Sequence, residues 1–282
     1  MKYVVITGAS TGIGYDAARY LIARGYHVFG SVRKQADADR VRAELGEQFT
    51  PLLFDVTDEG RVETAVTQVS TKIGNNGLAG LVNNAGIAVA GPLMHLPLDE
   101  IRWQMEVNLL GQLNVTQKFL PLLGAVPNAP HPPGRIINIS SVSGKVVYPF
   151  MGPYAASKHA LEAISDALRR ELLIFGIDVI VIGPGSVKTP IWDKAQELDT
   201  APYQQTPYQD IIEGMKKVFV GQGQTGIPVE KVSEIIYKAL TQEKPKVRYA
   251  IARNRFSGWL LPRYLPARML DNVMARRLGL KK

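Results

Sequence analysis

The chain has 282 residues, 46% hydrophobic and 21% charged, which is apolar enough for one large core and excludes disorder as its main state. It contains no cysteine, so disulfides, thiolate metal sites and cysteine nucleophiles are excluded, and a reducing, cytoplasmic setting is expected. The net charge of +8 first suggests nucleic acid, but the excess is confined to the last 39 residues, and nucleic-acid binding is not expected.

Taken in chain order, the first element is a strand-like run, Tyr3–Thr7. It begins so early that no room remains for a cleavable secretory signal. Thr7-Gly8-Ala9-Ser10-Thr11-Gly12-Ile13-Gly14 follows and opens a helix at 13–24. Gly8 permits a sharp turn, Gly12 clears a side chain where a pyrophosphate nears the backbone, and Gly14 lets the helix pack close to the sheet. The free N–H groups at the helix start, around Ser10 to Ile13, then face the phosphates. A strand before and a helix after make this a dinucleotide site rather than a plain turn.

The second run is His27–Val32, followed by Arg33 and Lys34. An NAD site usually carries an acid there, to accept from the ribose hydroxyls. None is present, and Arg33 suits a 2′-phosphate, so NADP(H) is favoured over NAD(H). A helix at 36–46 leads to a third run, Thr50–Phe54, and to Asp55-Val56, where the carboxylate suits the adenine amino group. After a helix at 59–73 comes Gly80–Asn83, then Asn84-Ala85-Gly86, small enough for the cofactor to lie against the chain. The next helix, 99–123, holds Asn108 between Val107 and Leu109. An amide amid apolar neighbours suits either a kink or a water relay.

The segment Ala125–Gly134, with four prolines, reads as a surface loop. A fifth run, Arg135–Ser140, delivers Ser141. Thirteen residues later, Tyr154-Ala155-Ala156-Ser157-Lys158 lies in a helix at 153–175, with Tyr154 and Lys158 on one face. A phenol, ordinarily titrating near about 10, needs a nearby ammonium to bring it toward neutrality. Ser141 suits donation to a carbonyl oxygen beside it. A sixth run, Asp178–Gly183, precedes Pro184-Gly185. Several runs are apolar throughout, as in parallel strands covered on both faces, and their alternation with helices predicts an α/β, doubly wound parallel sheet.

Thr7–Gly14, Asp55, Asn83–Gly86, Asn108, Ser141, Tyr154, Lys158 and Pro184-Gly185 occur together and in order. Over roughly residues 1–195 the chain resembles the short-chain dehydrogenase/reductase family, near its hydroxysteroid, retinol and hydroxybutyrate branch. The resemblance implies a Rossmann-like single domain over about 1–250, with a basic extension at 251–282. It implies Tyr154 as acid/base, Lys158 as its partner and ribose anchor, Ser141 as orienter of the substrate oxygen, and Asn108 as holder of a relay water. Pro184, Gly185, Val187 and Thr189 would meet the nicotinamide end. Arg33 matches the basic residue of NADP(H)-preferring members, although Thr11 stands where many of them carry a second cation. The activity implied is hydride transfer between NADP(H) and a carbonyl or alcohol. The alternatives are an NAD-dependent member, a dinucleotide-binding sensor without turnover, and, least favoured, a sugar-nucleotide epimerase.

Residues 186–226 read as a lid with Ile191, Trp192, Tyr203, Tyr208, Met215 and Phe219, which suits a lipophilic substrate. We place Ser143 and Trp192 on the substrate side. His27, His95, His131 and His159 lack ligand spacing, so no metal is expected. Residues 244–282 hold 11 Lys or Arg against one acid, Asp271. The stretch Asn254–Pro266 mixes aromatics, prolines and cations. This tail suits a peripheral contact with an anionic membrane, or packing over the pocket. The resemblance also implies a homodimer or homotetramer through the 99–123 and 153–175 helices.

Overall fold

The structure is a computed structural model that describes residues 1–190, 192, 199–253 and 261–280, without the side chains of 218–220, 222–224, 261 and 263. Seven parallel strands form one sheet: β1 Lys2–Ile6, β2 Tyr26–Val32, β3 Phe49–Leu53, β4 Gly80–Asn83, β5 Arg135–Ile139, β6 Asp178–Pro184 and β7 Arg248–Ile251. Their order is β3-β2-β1-β4-β5-β6-β7. The order reverses direction between β1 and β4, which opens the crevice where such sheets bind ligands. The doubly wound parallel sheet expected from the sequence is therefore present. The edge strand β7 was not anticipated.

Alternate strand residues feed two cores. Val4, Ile6 and Val28 point to one side and meet Ala17, Ala18 and Leu21 of α1 (Gly12–Ile22) with Val232, Ile236 and Ala239 of α8 (Val229–Thr241). Val5 and Phe29 point to the other side and meet Val62, Ala65 and Val69 of α3 (Glu59–Ile73) with Val115 and Phe119 of α5 (Gly111–Phe119). Period-two burial on both faces explains the apolar runs. A buried ion-dipole contact ties the first layer: Ser233 Oγ donates to Asp16 Oδ2 at 2.5 Å, while Arg19 holds the other oxygen at 2.6 Å. α2 (Gln35–Leu45) flanks β2 and β3.

The expected helix at 99–123 is interrupted. α4 (Leu98–Met105) passes into a π turn at Glu106–Leu110, then α5, then a 3₁₀ turn at Leu120–Leu123. The wide turn contains Asn108. Gly111 sits where a Cβ would stand 2.7 Å from Val56, so glycine lets the helix pass this close to the β3 loop. The 153–175 helix is α6 (Gly152–Glu171) with a 3₁₀ end at Leu172–Phe175.

Beyond β6, α7 (Gln209–Thr225) crosses the lid region, and a bridge pairs Val187 with Ile227 at its base. Two C-terminal helices follow, α9 (Leu261–Tyr264) and α10 (Ala267–Leu278). Leu278 packs on a cluster of Phe150, Tyr203, Ile212 and Met215, so the tail rests on the lid. Ile191 and the side chain of Phe219, named above as lid residues, and Asn254–Leu260 of the tail lie outside the described residues.

His27 on β2 is buried, with Nε2 2.8 Å from Thr50 Oγ1. Burial first, then the Lys72 and Arg42 charges, push it down to about 4 from an ordinary 6.5. The folded ring stays neutral while the unfolded ring takes a proton. Its contribution is therefore complete above the unfolded value and lost as pH falls toward and through the folded one. The loss should amount to roughly 3 kcal/mol. Urea unfolding from pH 7 to 4 should show that loss in the wild type and a flatter profile in His27→Gln. Parallel profiles would contradict the assignment.

Candidate active site

The glycine loop is shaped by backbone sterics. Gly8 and Gly12 have φ of +68° and +58°, where a side chain would be strained. A Cβ on Gly14 would lie 2.2 Å from the Gly8 carbonyl. Ser31 Oγ accepts from Gly8 N at 2.9 Å, and Asn84 Nδ2 donates to the Thr7 and Gly8 carbonyls at 2.9 and 3.1 Å. Thr7 Oγ1 in turn accepts from Asn84 N and Ala85 N at 2.9 and 3.0 Å. The β1 and β4 ends are thus laced together under the loop. Thr11 is the N-cap of α1 and makes no side-chain cap bond, so the first-turn N–H groups, including those of Ile13 and Gly14, are not taken by a cap. Thr189 faces Gly12 from across the crevice: a Cβ built on Gly12 would be 3.3 Å from its side chain. These features fit a pyrophosphate lying on the α1 N-terminus.

At the adenosine end, Arg33 is exposed and approaches Asp55 Oδ2 at 3.8 Å. Asp55 Oδ1 is occupied by Thr57 N and Oγ1 at 3.1 and 2.9 Å. Val56 is buried, and its carbonyl accepts from Asn114 at 3.1 Å. A second cation, not singled out from the sequence, stands at the loop: Arg40 of α2 donates to the Ser10 carbonyl at 2.8 Å. Asp37 and Glu44 hold it from below at 3.2 and 3.3 Å. The loop therefore has a neighbouring guanidinium although Thr11 is uncharged.

The segment after β4 is held by three amides that sit on the helix at every fourth residue. Gln112 Nε2 donates to Ala85 O at 2.9 Å. Asn108 accepts from Ile87 N at 2.8 Å and donates to Ile87 O at 3.0 Å. Gln104 donates to Ile87 O at 3.0 Å and accepts from Val89 N at 2.7 Å. All three are buried. They act as a ladder of side chains that pairs with an unpaired strand end, as a neighbouring β-strand would. Gly86 lies close beside Asn108: a Cβ there would stand 3.2 Å from Oδ1, a tight fit. Asn108 Nδ2 also donates to Ser157 Oγ at 3.2 Å, which donates to the Tyr154 carbonyl at 2.8 Å. Asn108 thus ties the β4 loop to α6, and its side chain meets Ser157 rather than Lys158. Only Asn108 was singled out from the sequence. The regular 104, 108, 112 spacing of amides was the available signal for Gln104 and Gln112.

At the reacting end, Ser141 caps a short turn, its Oγ accepting from Ser143 N at 3.1 Å. Its hydroxyl also lies near enough to the Tyr154 phenol to favour the ionised form. Lys158 is buried, with Nζ 2.9 Å from the Ile139 carbonyl and 5.9 Å from the Tyr154 ring centroid. Burial pushes Lys158 down to about 8, against the opposing charge of Glu162. Burial pushes the Tyr154 phenol up, with Ser141 acting in the opposite direction. This corrects the expected lowering of the phenol by the ammonium. Lys158 directs its charge at a backbone carbonyl, leaving desolvation to dominate at the phenol.

The nicotinamide end is built by β6. Pro184 is buried, and Gly185 N donates to Ile251 O at 2.8 Å, so β7 anchors this turn. Val187 is buried, and its carbonyl accepts from Trp192 Nε1 at 2.7 Å. Trp192 therefore buttresses the turn from the lid side. Ser143 is buried beside Ser141. A separate buried cluster packs the lid onto the body: Phe150, Tyr203, Ile212 and Met215 meet Tyr208, Ile211 and Leu278, and Tyr208 meets both Phe150 and His95 edge-on at 5.8 Å. Phe150 adopts φ +68° to reach this cluster, a strained choice for a bulky residue. No group of metal-ligating residues is found among the described residues.

Comparisons with known proteins agree with this geometry. A sequence model of the short chain dehydrogenase family matches residues 2–199. The chain is 42% identical over 278 residues to an NADPH-dependent 3-dehydrocapnine reductase of Ornithobacterium rhinotracheale, covering 99% of this chain and 98% of that one. It is 32% identical to retinol dehydrogenase 7 of Rattus norvegicus, covering 97% and 87%. Among solved structures, a variant of actinorhodin polyketide ketoreductase with NADPH superposes with a TM-score of 0.74 at 27% identity, over 89% of this chain and 94% of that one. The chain belongs to the short chain dehydrogenase family.

Proposed function

We propose that the chain is an NADPH-dependent reductase of a ketone carried on a lipophilic molecule. The observation that carries this reading is the convergence of Ser141, Tyr154 and Lys158 beside a cradle shaped for a dinucleotide. Gly8, Ser10, Thr11, Gly12, Ile13 and Gly14 would hold the phosphates. Asp55, Val56, Asn84, Ala85 and Gly86 would line the adenosine side, and Pro184, Gly185, Val187 and Thr189 the nicotinamide side. Arg33, with Arg40 nearby, would take the 2′-phosphate, whose charge suits guanidinium groups. The bound cofactor supplies the hydride. Ser141 and Tyr154 hold the carbonyl oxygen between two hydroxyls, which stabilises negative charge developing there. Tyr154 gives that oxygen its proton. Lys158, fixed by Ile139, would anchor the ribose and balance the phenolate left after transfer.

The apolar and aromatic packing of the lid through Phe150, Tyr203 and Tyr208 supports an apolar substrate body, and the likeness to a 3-dehydrocapnine reductase and a retinol dehydrogenase points the same way. We place Ser143 and Trp192 at the substrate side of this pocket.

Two finer proposals concern partners. The outward face of α10 exposes Met269 and Val273, with Leu280 beyond, beside Arg268, Arg276 and Arg277, which suits an anionic membrane surface. No described helix is long and apolar enough to cross a membrane. Exposed Trp103, Leu110, Leu173 and Ile174 on the α4–α5 and α6 side suit a homodimer or homotetramer in the cytoplasm.

A screen of long-chain ketones that follows NADPH and NADH consumption in parallel tests the main reading. NADPH should be preferred, and Arg33→Ala should narrow the preference. Tyr154→Phe should lower kcat by about 10²–10⁴-fold while dinucleotide affinity holds. Full activity in that variant would remove Tyr154 as the acid, and dinucleotide binding without turnover of any ketone would favour a sensor. For the tail, flotation with vesicles containing phosphatidylglycerol should recover the chain more than neutral vesicles do, and Met269→Glu with Val273→Glu should abolish the difference. Equal recovery on both vesicle types would end the membrane proposal.

A further inference from the structure

A cavity of about 570 Å³ lies beside the nicotinamide turn. Three cations from separate stretches of chain line it: Lys188 after β6, Lys231 in α8 and Arg253 just past β7. Apolar carbon of Ile227, Pro228 and Ile251 forms much of the remaining wall.

The wall is fixed by backbone pairing. Gly185 N donates to Ile251 O at 2.8 Å, Lys188 N to Ile227 O at 2.9 Å, and Ile227 N to Ser186 O at 2.8 Å. A Cβ on Gly226 would stand 2.9 Å from both Lys188 N and Ser186 O, so only glycine lets these segments close. The residue after Lys188 is Thr189, which faces Gly12 across the crevice. The cavity thus shares the 185–188 segment with the nicotinamide end of the site.

Its charge is of one sign. Among the described residues no carboxylate lines the cavity. Lys231 meets Glu234 at 3.2 Å, but both side chains are exposed, so the pair is weak. Lys188 and Arg253 are exposed and form no ion pair among the described residues. Like charges gathered in one concavity repel one another and raise the local concentration of anions. The space falls within the roughly 300–1,000 Å³ of small-molecule sites, far more than an inorganic anion fills. With its apolar wall, it suits an anion that carries carbon behind it.

We propose that this cavity receives the anionic end group (a sulfonate, phosphate or carboxylate) of an amphiphilic ketone substrate, with the adjoining carbon against Ile227, Pro228 and Ile251. The proposal rests on the chain being a ketone reductase, and it narrows the lipophilic substrate to one bearing a negative charge. A charge held there supplies binding energy remote from the reacting carbon, which can orient the ketone against the nicotinamide.

The test separates binding from turnover. Octanesulfonate and 1-octanol, alike in chain length, are titrated calorimetrically into the full chain loaded with NADP⁺. Octanesulfonate should bind about tenfold or more tightly, the effect of one charge-assisted contact, and the gap should shrink as salt rises. Lys188→Gln with Arg253→Gln should close the gap, and Lys188→Arg with Arg253→Lys should keep most of it. Octanesulfonate should also inhibit ketone reduction in competition with the ketone. Equal affinity for the two probes, or an unchanged gap in the double Gln variant, would overturn the proposal. So would octanesulfonate that binds without competing, since the cavity would then take a separate anion. A chain that binds octanesulfonate through these cations but reduces no ketone would overturn the reductase reading and not the anion site.

Discussion

A buried ammonium sits at the centre of this molecule. Lys158 is held in the core where β5 ends, donating to the Ile139 carbonyl at 2.9 Å. A hydrogen bond to a charged group contributes about 1.5–3 kcal/mol, which offsets part of the several kcal/mol of desolvation. That contact ties α6 to the end of β5. Tyr154, one turn earlier, then has its hydroxyl beside Ser141, just past the end of the same strand. The reacting geometry is a consequence of how one charge is buried.

The same reasoning applies across the crevice. The chain after β4 leaves the sheet with its backbone groups unpaired by any strand. Gln104, Asn108 and Gln112 supply those hydrogen bonds from a helix, and the π turn at Glu106–Leu110 aligns the three amides. Unmade bonds at buried backbone groups would cost about 1–3 kcal/mol each. The ladder therefore holds Ala85 to Val89 rigid opposite the glycine loop, and Ser157 carries its alignment to α6. Cradle and reacting pair are parts of one connected polar framework.

Much of this was legible in the residues. Strands covered on both faces appear as Val, Ile and Leu runs, and the glycine loop is marked by positions where only a hydrogen fits. β7 escaped notice because Arg248-Tyr249-Ala250-Ile251 is a four-residue edge strand with a charge at its start. Glu162, Arg40 and Arg248 escaped notice for another reason. A charged side chain normally faces water, and no local pattern separates the rare one that pairs in the core, as Glu162 and Arg248 do, or that reaches a neighbouring loop, as Arg40 does. The rise in the Tyr154 pKa was also beyond reach. It depends on whether the Lys158 ammonium points to the phenol or to Ile139, which is a matter of tertiary distance and not of i,i+4 spacing.

The most direct measurement is a crystal structure of the chain with NADP⁺. The nicotinamide ring should lie between Thr189 and Tyr154, with Lys158 on the ribose and the reactive ring carbon within reach of a carbonyl held by Ser141 and Tyr154, so that the reacting atoms stand about 3–3.5 Å apart. A nicotinamide bound away from Tyr154, or a ribose with no contact to Lys158, would contradict the account.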